Sequence, residues 1–145
     1  MSLDDTDRRI LTLLQQDGRM AVKLLAEQIG LSSPAASDRL RRLQERGVIH
    51  GFSPDVEPRA LGYSMQALVR IRPMPGKLQA VQKLIENIPE FGECDKVTGE
   101  DCFIGRLYLR SIEHLDHILD RITNIAETST AIVKSQPVRR RLPPF

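Results

Sequence analysis

Apolar positions recur at the period of an α-helix in three short segments near the start of the chain. In Val22–Ile29 they fall at i, i+3, i+4 and i+7, which gives the helix one apolar face that must pack on another element. Segments 3–16 and 33–46 show the same period, and a glycine follows each of the three within two residues. Asp4 is a candidate N-cap for the first segment. The pattern predicts three short helices that share a small core.

The junction between the second and third helices has the features of a sharp turn. Gly30 can adopt the left-handed conformation that ends a helix, and the hydroxyls of Ser32 and Ser33 can cap the next one. Pro34 suits the first helical position, where its missing N–H would have no partner in any case. Ala26, four residues before the glycine, is small enough for two helices to approach closely. Together these features predict a helix-turn-helix.

The third helix, Ser33–Arg46, has a polar outer stripe in which Ser33 and Ser37 come first and Arg41 and Arg42 follow. A helix that enters the major groove of DNA needs a slim first turn near the base edges, then guanidinium groups for phosphate or guanine. A solvated charged face is the alternative, but within a helix-turn-helix the stripe favours DNA binding. The candidates are Ser33, Ser37, Asp38 and Arg41 for base edges, Arg42 and Arg46 for phosphates, and Ser32 and Arg39 beside them.

Two segments of different composition follow the third helix. Val48–Phe52 is short, apolar and β-rich, as a wing or leading strand would be. Residues 53–62 contain two prolines and two acids, which predicts a semi-rigid linker. We therefore expect a DNA-binding domain at 1–52, a linker at 53–62 and a second domain at 63–145.

The second domain alternates strands and helices. Polar and apolar residues alternate over Tyr63–Arg72, which predicts a half-buried strand, and helical faces begin near Leu78 and Ser111. Further strands are predicted at Phe91–Thr98, Cys102–Arg110 and Thr128–Gln136. The order strand, helix, strand, strand, helix, strand is the split βαβ pattern. The sequence thus predicts an α+β chain, with an N-terminal winged helix-turn-helix plus a C-terminal ferredoxin-like βαββαβ domain.

Two helices would cover one face of this four-stranded sheet and leave the other face open. Continuing the alternation along the strands, we expect the apolar residues Leu68, Cys94, Ile104, Tyr108 and Ile132 on the open face. The polar residues expected there are Gln66, Arg70, Lys96, Thr98, Thr130 and Lys134. Because so apolar a face needs a cover, we expect two copies to pack sheet against sheet. The resulting two-fold dimer would present two recognition helices to a palindromic site.

Composition adds a local rather than a global signal. The 145 residues include 21 basic and 19 acidic side chains, so no overall positive charge indicates nucleic acid. The positive charge is concentrated between Leu31 and His50, and its modest size argues for affinity gained through dimerisation.

Two cysteines and the lack of a long apolar run predict a cytoplasmic protein. Segment 134–145 is basic and proline-rich; DNA or another subunit could contact it, but we expect it to be solvated.

Three runs in the first domain, LDDTDRRILTLLQQDGR, LAEQIGLS and DRLRRLQERGVI, resemble the Lrp/AsnC family of prokaryotic transcription regulators. The resemblance continues to the end of the chain, where VTGEDCF is similar to a Gly-x-x-Asp signature of that family. It implies a DNA-binding regulator that forms dimers and octamers and often binds an amino acid in its ferredoxin-like domain. It also places Arg39 at a family position, where we expect a partly structural role.

The signature departs from the family pattern at one position. Cys102 lies three residues after Gly99, where the family usually has an aspartate that organises the site near the ligand's amino group. A thiol offers no charged acceptor for an ammonium group. Three alternatives stay open: a different effector, no effector, or a redox-sensitive thiol. The candidate effector-binding residues are Thr98, Gly99, Glu100, Asp101, Cys102 and Thr130.

Metal binding, cofactor binding and disulfide formation have less support from the sequence. His114 and His117 are spaced i, i+3 on a helix without a convergent third ligand, so we expect no metal and no organic cofactor. If the hairpin pairs Thr98 with Cys102, then Cys94 lies opposite Arg106 and roughly 13 Å from Cys102, which is too far for a disulfide within one chain. Pairing between subunits stays open.

Two other function classes are compatible with the architecture. Siroheme decarboxylases of haem biosynthesis share it, but His50 falls in the predicted wing and the two helical histidines fall on a polar face, so no acid–base set converges. A ligand-binding module whose helix-turn-helix contacts only protein is the third possibility. The motifs favour a regulator, not an enzyme, that binds double-stranded DNA.

Overall fold

The computed structural model describes residues 2–145. The helices are α1 (Asp5–Gln16), α2 (Val22–Ile29), α3 (Ser33–Glu45), α4 (Leu78–Glu86) and α5 (Ile112–Ile122). The strands are β1 (Met65–Pro73), β2 (Phe91–Lys96), β3 (Phe103–Leu109) and β4 (Ala126–Ile132). A single 3₁₀ turn, Pro58–Leu61, lies in the predicted linker of the described chain. No helix within residues 2–145 has the length and apolar character needed to cross a membrane.

Contacts divide the chain into two units. The first runs up to Asp55 and also includes Arg139–Phe145, and the second is Val56–Val138. The sequence assigned 63–145 to a single domain, whereas the contacts place its last seven residues with the helices of the first unit. The boundaries at 52 and 62 remain a prediction.

The first unit is a three-helix bundle around Ile10, Leu25 and Leu43. As predicted, the Asp4 carboxylate caps α1 by accepting a hydrogen bond from the Asp7 N–H at 2.7 Å. Gly30 ends α2 in the left-handed conformation with a φ of 72°. These local signals fix the lengths of the helices, and the shared apolar core fixes how they pack.

Val48–Phe52 were predicted to form a wing or leading strand, and the strand conformation is wrong, because the structure assigns no strand to these residues. The N–H groups of Val48 and Ile49 instead donate to the Leu43 carbonyl at 2.9 and 3.1 Å. Both side chains pack against the three-helix core. The apolar run therefore closes the end of α3 rather than forming a strand.

The second unit is a four-stranded antiparallel sheet in the order β2-β3-β1-β4. Its core lies on the helix-covered side of the sheet and includes Val69, Ile71, Val81, Leu107, Leu109, Ile118 and Ile122. The predicted ferredoxin-like order of strands and helices is confirmed. β4 begins two residues earlier than expected, at Ala126.

The prediction of the open sheet face is correct on the central strands and wrong on the edge strands. Leu68, Ile104 and Tyr108 alternate with buried neighbours and lie on the open side. Ile132 and Thr130 are paired with Ala67 and Val69, both buried on the helix side. Directly opposed residues share a face, so these two β4 side chains lie on the helix side as well.

The same correction applies to Cys94 and Lys96 on β2. Their partners are Gly105 and Phe103, and Cys94 packs against the helix-covered core. The sequence prediction paired Cys94 with Arg106, one residue away from the observed register. A shift of one residue exchanges the two faces of a strand, which accounts for both errors.

Candidate DNA-binding surface and effector turn

The turn before α3 holds its first residues at the protein surface. The Ser32 hydroxyl caps the helix by accepting the Ala35 N–H at 3.3 Å, and Pro34 occupies the first turn. Ala36 and Ala26 are 0% and 2% exposed. Their small side chains allow α2 and α3 to pack closely, so the opposite side of α3 is left free.

That opposite side carries the predicted stripe. Ser33, Ser37, Arg41 and Gln44 are all exposed and follow the helical period, while Ala36 and Leu43 are buried on the inner side. The stripe thus combines hydroxyls, an amide and a guanidinium group on one exposed face. These are groups that form hydrogen bonds with base edges and phosphates.

Each of the two exposed arginines has a carboxylate partner on α3 itself. Arg41 lies 2.5 Å from Asp38 and 2.6 Å from Glu45, and Arg42 lies 2.8 Å from Asp38. The hydrogen bond from Arg41 is the main reason that the pKa of Asp38 falls below its ordinary value. Asp38 therefore holds both guanidinium groups in place on the helix surface.

The other two arginines are Arg39 of α3 and Arg46, the residue that follows the helix as its C-cap, and both contact the bundle rather than the exposed stripe. Arg39 lies 2.7 Å from Asp4 and 3.0 Å from Asp7 on α1. Arg46 lies 3.9 Å from Asp7, and it donates to the Ser2 carbonyl at 3.1 Å. Arg39 thus has the structural role that was expected in part, and Arg46, expected on phosphates, has an intramolecular partner as well.

Asp7 is the residue of this surface that the sequence analysis did not single out for contact with α3. It is 7% exposed, and its carboxylate faces both Arg39 and Arg46. A signal was available, because Asp7 occupies an apolar position of the α1 period, three residues before Ile10. A charged residue at a core position is expected to be paired.

The candidate effector residues 98–102 form the tight turn between β2 and β3. The Val97 N–H donates to the Cys102 carbonyl at 2.7 Å, and Gly99 has a φ of 103°. Cys102 has a φ of 59°, an uncommon conformation for a residue with a side chain. Its thiol lies 3.7 Å from the Glu100 carbonyl oxygen, so it is turned back toward the turn.

Two arginines of β1, which the sequence analysis did not connect with this turn, contact its acids. Arg70 lies 3.5 Å from Asp101, and Arg72 contacts Glu100 and lies 3.9 Å from Glu127 on β4. Arg70 and Arg72 follow the open-face alternation of β1. The carboxylates nearest to Cys102 in sequence are thus already paired with cations.

Three other residues that were considered from the sequence lie elsewhere in the second unit. Thr130 lies on the helix side of the sheet, so the structure does not bring it together with the turn. His114, expected on a solvated face, accepts the Arg110 N–H through Nδ1 at 3.1 Å, and its Nε2 lies 3.1 Å from Glu90. His117 is exposed.

A three-helix unit with an exposed, capped second motif helix defines a helix-turn-helix DNA-binding protein, here followed by a ferredoxin-like unit. Residues 3–50 match the family model described as winged helix-turn-helix DNA-binding. Residues 66–143 match the model described as Lrp/AsnC ligand binding domain. The chain belongs to the Lrp/AsnC family of helix-turn-helix transcription regulators.

Relatives support this assignment along the chain. The HTH-type transcriptional regulator LrpA of Mycobacterium tuberculosis is 35% identical over 89% of this chain and 87% of its own. The structure of Escherichia coli AsnC superposes with a TM-score of 0.89 at 29% identity, covering 99% of this chain and 100% of that one. A feast or famine regulatory protein from M. tuberculosis, complexed with L-methionine, has a TM-score of 0.87 at 32% identity, covering 98% and 99%.

Proposed function

We propose that this transcription regulator recognises its sites by inserting α3 into the major groove of double-stranded DNA. Ser33, Ser37, Asp38 and Arg41 would contact base edges in this arrangement. The observation that carries the proposal is the exposed stripe of hydroxyl, amide and guanidinium groups on α3, opposite the buried Ala36 and Leu43. In such a helix the groups that contact base edges lie on the solvent-exposed side, and the apolar residues that hold the helix in the bundle lie on the buried side.

We assign the remaining α3 arginines and Ser32 to positioning. Arg42 is exposed and suited to a phosphate, while Ser32 caps the start of the helix, where backbone N–H groups also favour phosphate. Arg39 and Arg46 would hold the helix on α1 through Asp7, and Arg46 can reach a phosphate only by leaving that partner. Base contacts and orienting contacts thus lie on different sides of α3.

The partner that covers the open sheet face, in this proposal, is a second copy of the chain. Leu68 is 38% exposed on that face, and Ile104 and Tyr108 lie beside it. Arg106 on the same face binds Glu93 and Gln66 at 3.1 and 3.0 Å, so its charge is already compensated for burial. An isologous dimer would present two α3 helices to a palindromic operator, and an octamer would be built from such dimers.

The turn at 98–102 is the proposed effector site, with a free amino acid as the ligand class. Support comes from the L-methionine complex of the M. tuberculosis relative and from the ligand-binding description of the matched family. Arg70 and Arg72 would provide cations for a ligand carboxylate that displaces Asp101 and Glu100 from them. Glu100 and Asp101, rather than Cys102, would then supply the charge for the amino group. Thr130 has no place in a site formed by one chain.

We infer no catalytic role, because the named relatives are transcriptional regulators and nothing favours the decarboxylase alternative. The proposal needs neither a metal nor an organic cofactor. Since its target is chromosomal DNA of a prokaryotic cell, we place the protein in the cytoplasm.

Selection of duplexes from a random library, followed by binding titrations with and without each free amino acid, tests the proposal. The expected result is a palindromic site with nanomolar affinity that at least one amino acid alters. Equal affinity for the selected and scrambled duplexes would contradict sequence-specific recognition. Unchanged binding with every amino acid would contradict only the effector assignment.

A further inference from the structure

We call Arg139–Phe145 the arginine segment. Its contacts place it in the first unit, together with the helix-turn-helix. From Arg141 onward, its residues line a cleft with Thr12 and Gln15 of α1. Leu142 and Phe145 are 48% and 46% exposed, so about half of each side chain is covered. The apolar half holds the segment on the unit, and the three arginines before it are exposed.

The arginine segment changes the net charge of the first unit. Up to Asp55 the chain has eight arginines and lysines and eight aspartates and glutamates, a net charge of zero. The arginine segment contributes three positive charges and no negative ones, which brings the unit to +3. All of the net positive charge of the DNA-binding unit is therefore carried by Arg139, Arg140 and Arg141.

The arginines at and directly after α3 differ from those of the arginine segment, because each of them is already paired with a carboxylate. Arg39, Arg41, Arg42 and Arg46 each have a carboxylate within 4.0 Å, so a DNA phosphate must compete with that partner. Within residues 2–145, none of the three arginines at 139–141 has a carboxylate so close. Free guanidinium groups bind phosphates without first giving up an ion pair.

We propose that the arginine segment is a second DNA-binding element, which contacts backbone phosphates of the duplex that α3 recognises. Its ligand is double-stranded DNA irrespective of sequence, because phosphate contacts position a protein without reading bases. Pro143 and Pro144 keep the anchored half extended and limit the entropy cost of binding. The inference rests on the proposed DNA-binding function and assigns to this segment much of its affinity.

The test compares the wild-type chain with the triple variant R139Q/R140Q/R141Q. Binding to a selected duplex and to a scrambled duplex is measured by fluorescence anisotropy at several salt concentrations. Each phosphate that is no longer neutralised by an arginine reduces the slope of log affinity against log salt by about 0.9. The slope should therefore fall by up to about 2.7 per chain, and by up to about 5.4 when the proposed dimer binds a palindromic duplex. The decrease in affinity should be equal on both duplexes. A matched control, K77Q/K83Q/R121Q, removes three exposed charges from the second unit and should leave the slope unchanged.

Each outcome has one meaning. Equal slopes for the wild type and the arginine variant would overturn the inference while leaving α3 recognition intact. A changed assembly mass of the arginine variant by light scattering would overturn it in favour of a contact between subunits. Absence of any duplex binding by the wild type would overturn the proposed function as well. A reduced slope with unchanged mass and thermal stability supports the inference.

Discussion

Asp7 of α1 and Arg39 of α3 form an ion pair with a separation of 3.0 Å between carboxylate oxygen and guanidinium nitrogen. Asp7 is almost fully buried, whereas the Arg39 side chain is 34% exposed. The pair connects the first helix of the bundle with the helix that we assign to the DNA groove. The orientation of α3 thus depends on a charge that lies outside the helix-turn-helix motif itself.

Asp7→Ala is expected to lower the free energy of unfolding by about 1–3 kcal/mol, since it removes a charged hydrogen bond acceptor of Arg39. The partial exposure of Arg39 keeps the effect below that of a fully buried pair. Urea unfolding followed by circular dichroism measures it. Asp5→Ala on the same helix is the control, because Asp5 is exposed, and equal effects in the two variants would contradict the role of Asp7.

Acid is expected to weaken the Asp4 contact with Arg39. The hydrogen bond from Arg39 is the largest cause that lowers the pKa of Asp4 below its ordinary value. A carboxyl group with a lowered folded-state pKa stabilises the fold above its unfolded value, and this contribution disappears as pH falls through the folded value. Asp4→Asn keeps a capping side chain but lacks the charge. We expect the wild type to have the higher urea midpoint at pH 7, with the difference disappearing as pH falls through the lowered folded-state pKa of Asp4. A difference that is independent of pH would contradict this account.

Gly30→Ala is expected to destabilise the protein by about 1–2 kcal/mol for a purely backbone reason. Gly30 has a φ of 72°, and an added Cβ would meet no atom within 4 Å. Gly51 also has open space around it, but its φ lies outside the left-handed range, so Gly51→Ala should change stability by less than about 0.5 kcal/mol. Thermal unfolding of the two variants provides the comparison. Equal stabilities of the Gly30→Ala and Gly51→Ala variants would contradict this expectation, because they would mean that the turn after α2 relaxes around the alanine.

Leu68→Asp is expected to dissociate the proposed dimer, because it places a carboxylate at the centre of the open sheet face. The matched control is Ile112→Asp on α5, where the isoleucine is 49% exposed against 38% for Leu68. Light scattering should give half the wild-type dimer mass for the first variant and no change for the second. An undiminished mass for Leu68→Asp would exclude this face as the interface.

The sequence predicts this fold well where the signals are local. The caps at Asp4, Ser32 and Gly30 and the apolar periods of the helices depend only on neighbouring residues, and the structure confirms them. Alternation likewise predicts which side of β1 is buried.

The predictions failed where the answer depends on how segments pair. Cys94 and Ile132 were assigned to the wrong face, because edge-strand register depends on the turn at 98–102 and on where β4 begins. The partners of Asp7 and Arg72 could not be predicted either, since each lies many residues away along the chain.

The most direct test of DNA recognition by α3 is the affinity ratio between the selected duplex and a scrambled one, measured for wild type, Arg41→Ala and Arg19→Ala. Arg41 lies on the exposed stripe, and Arg19 is an exposed arginine of the same unit outside α3. If Arg41 contacts a guanine, its removal should reduce the ratio by about 5- to 150-fold for each half of the palindrome, while Arg19→Ala leaves it unchanged. An Arg41→Ala variant that retains the wild-type ratio and the wild-type selected sequence would contradict the account.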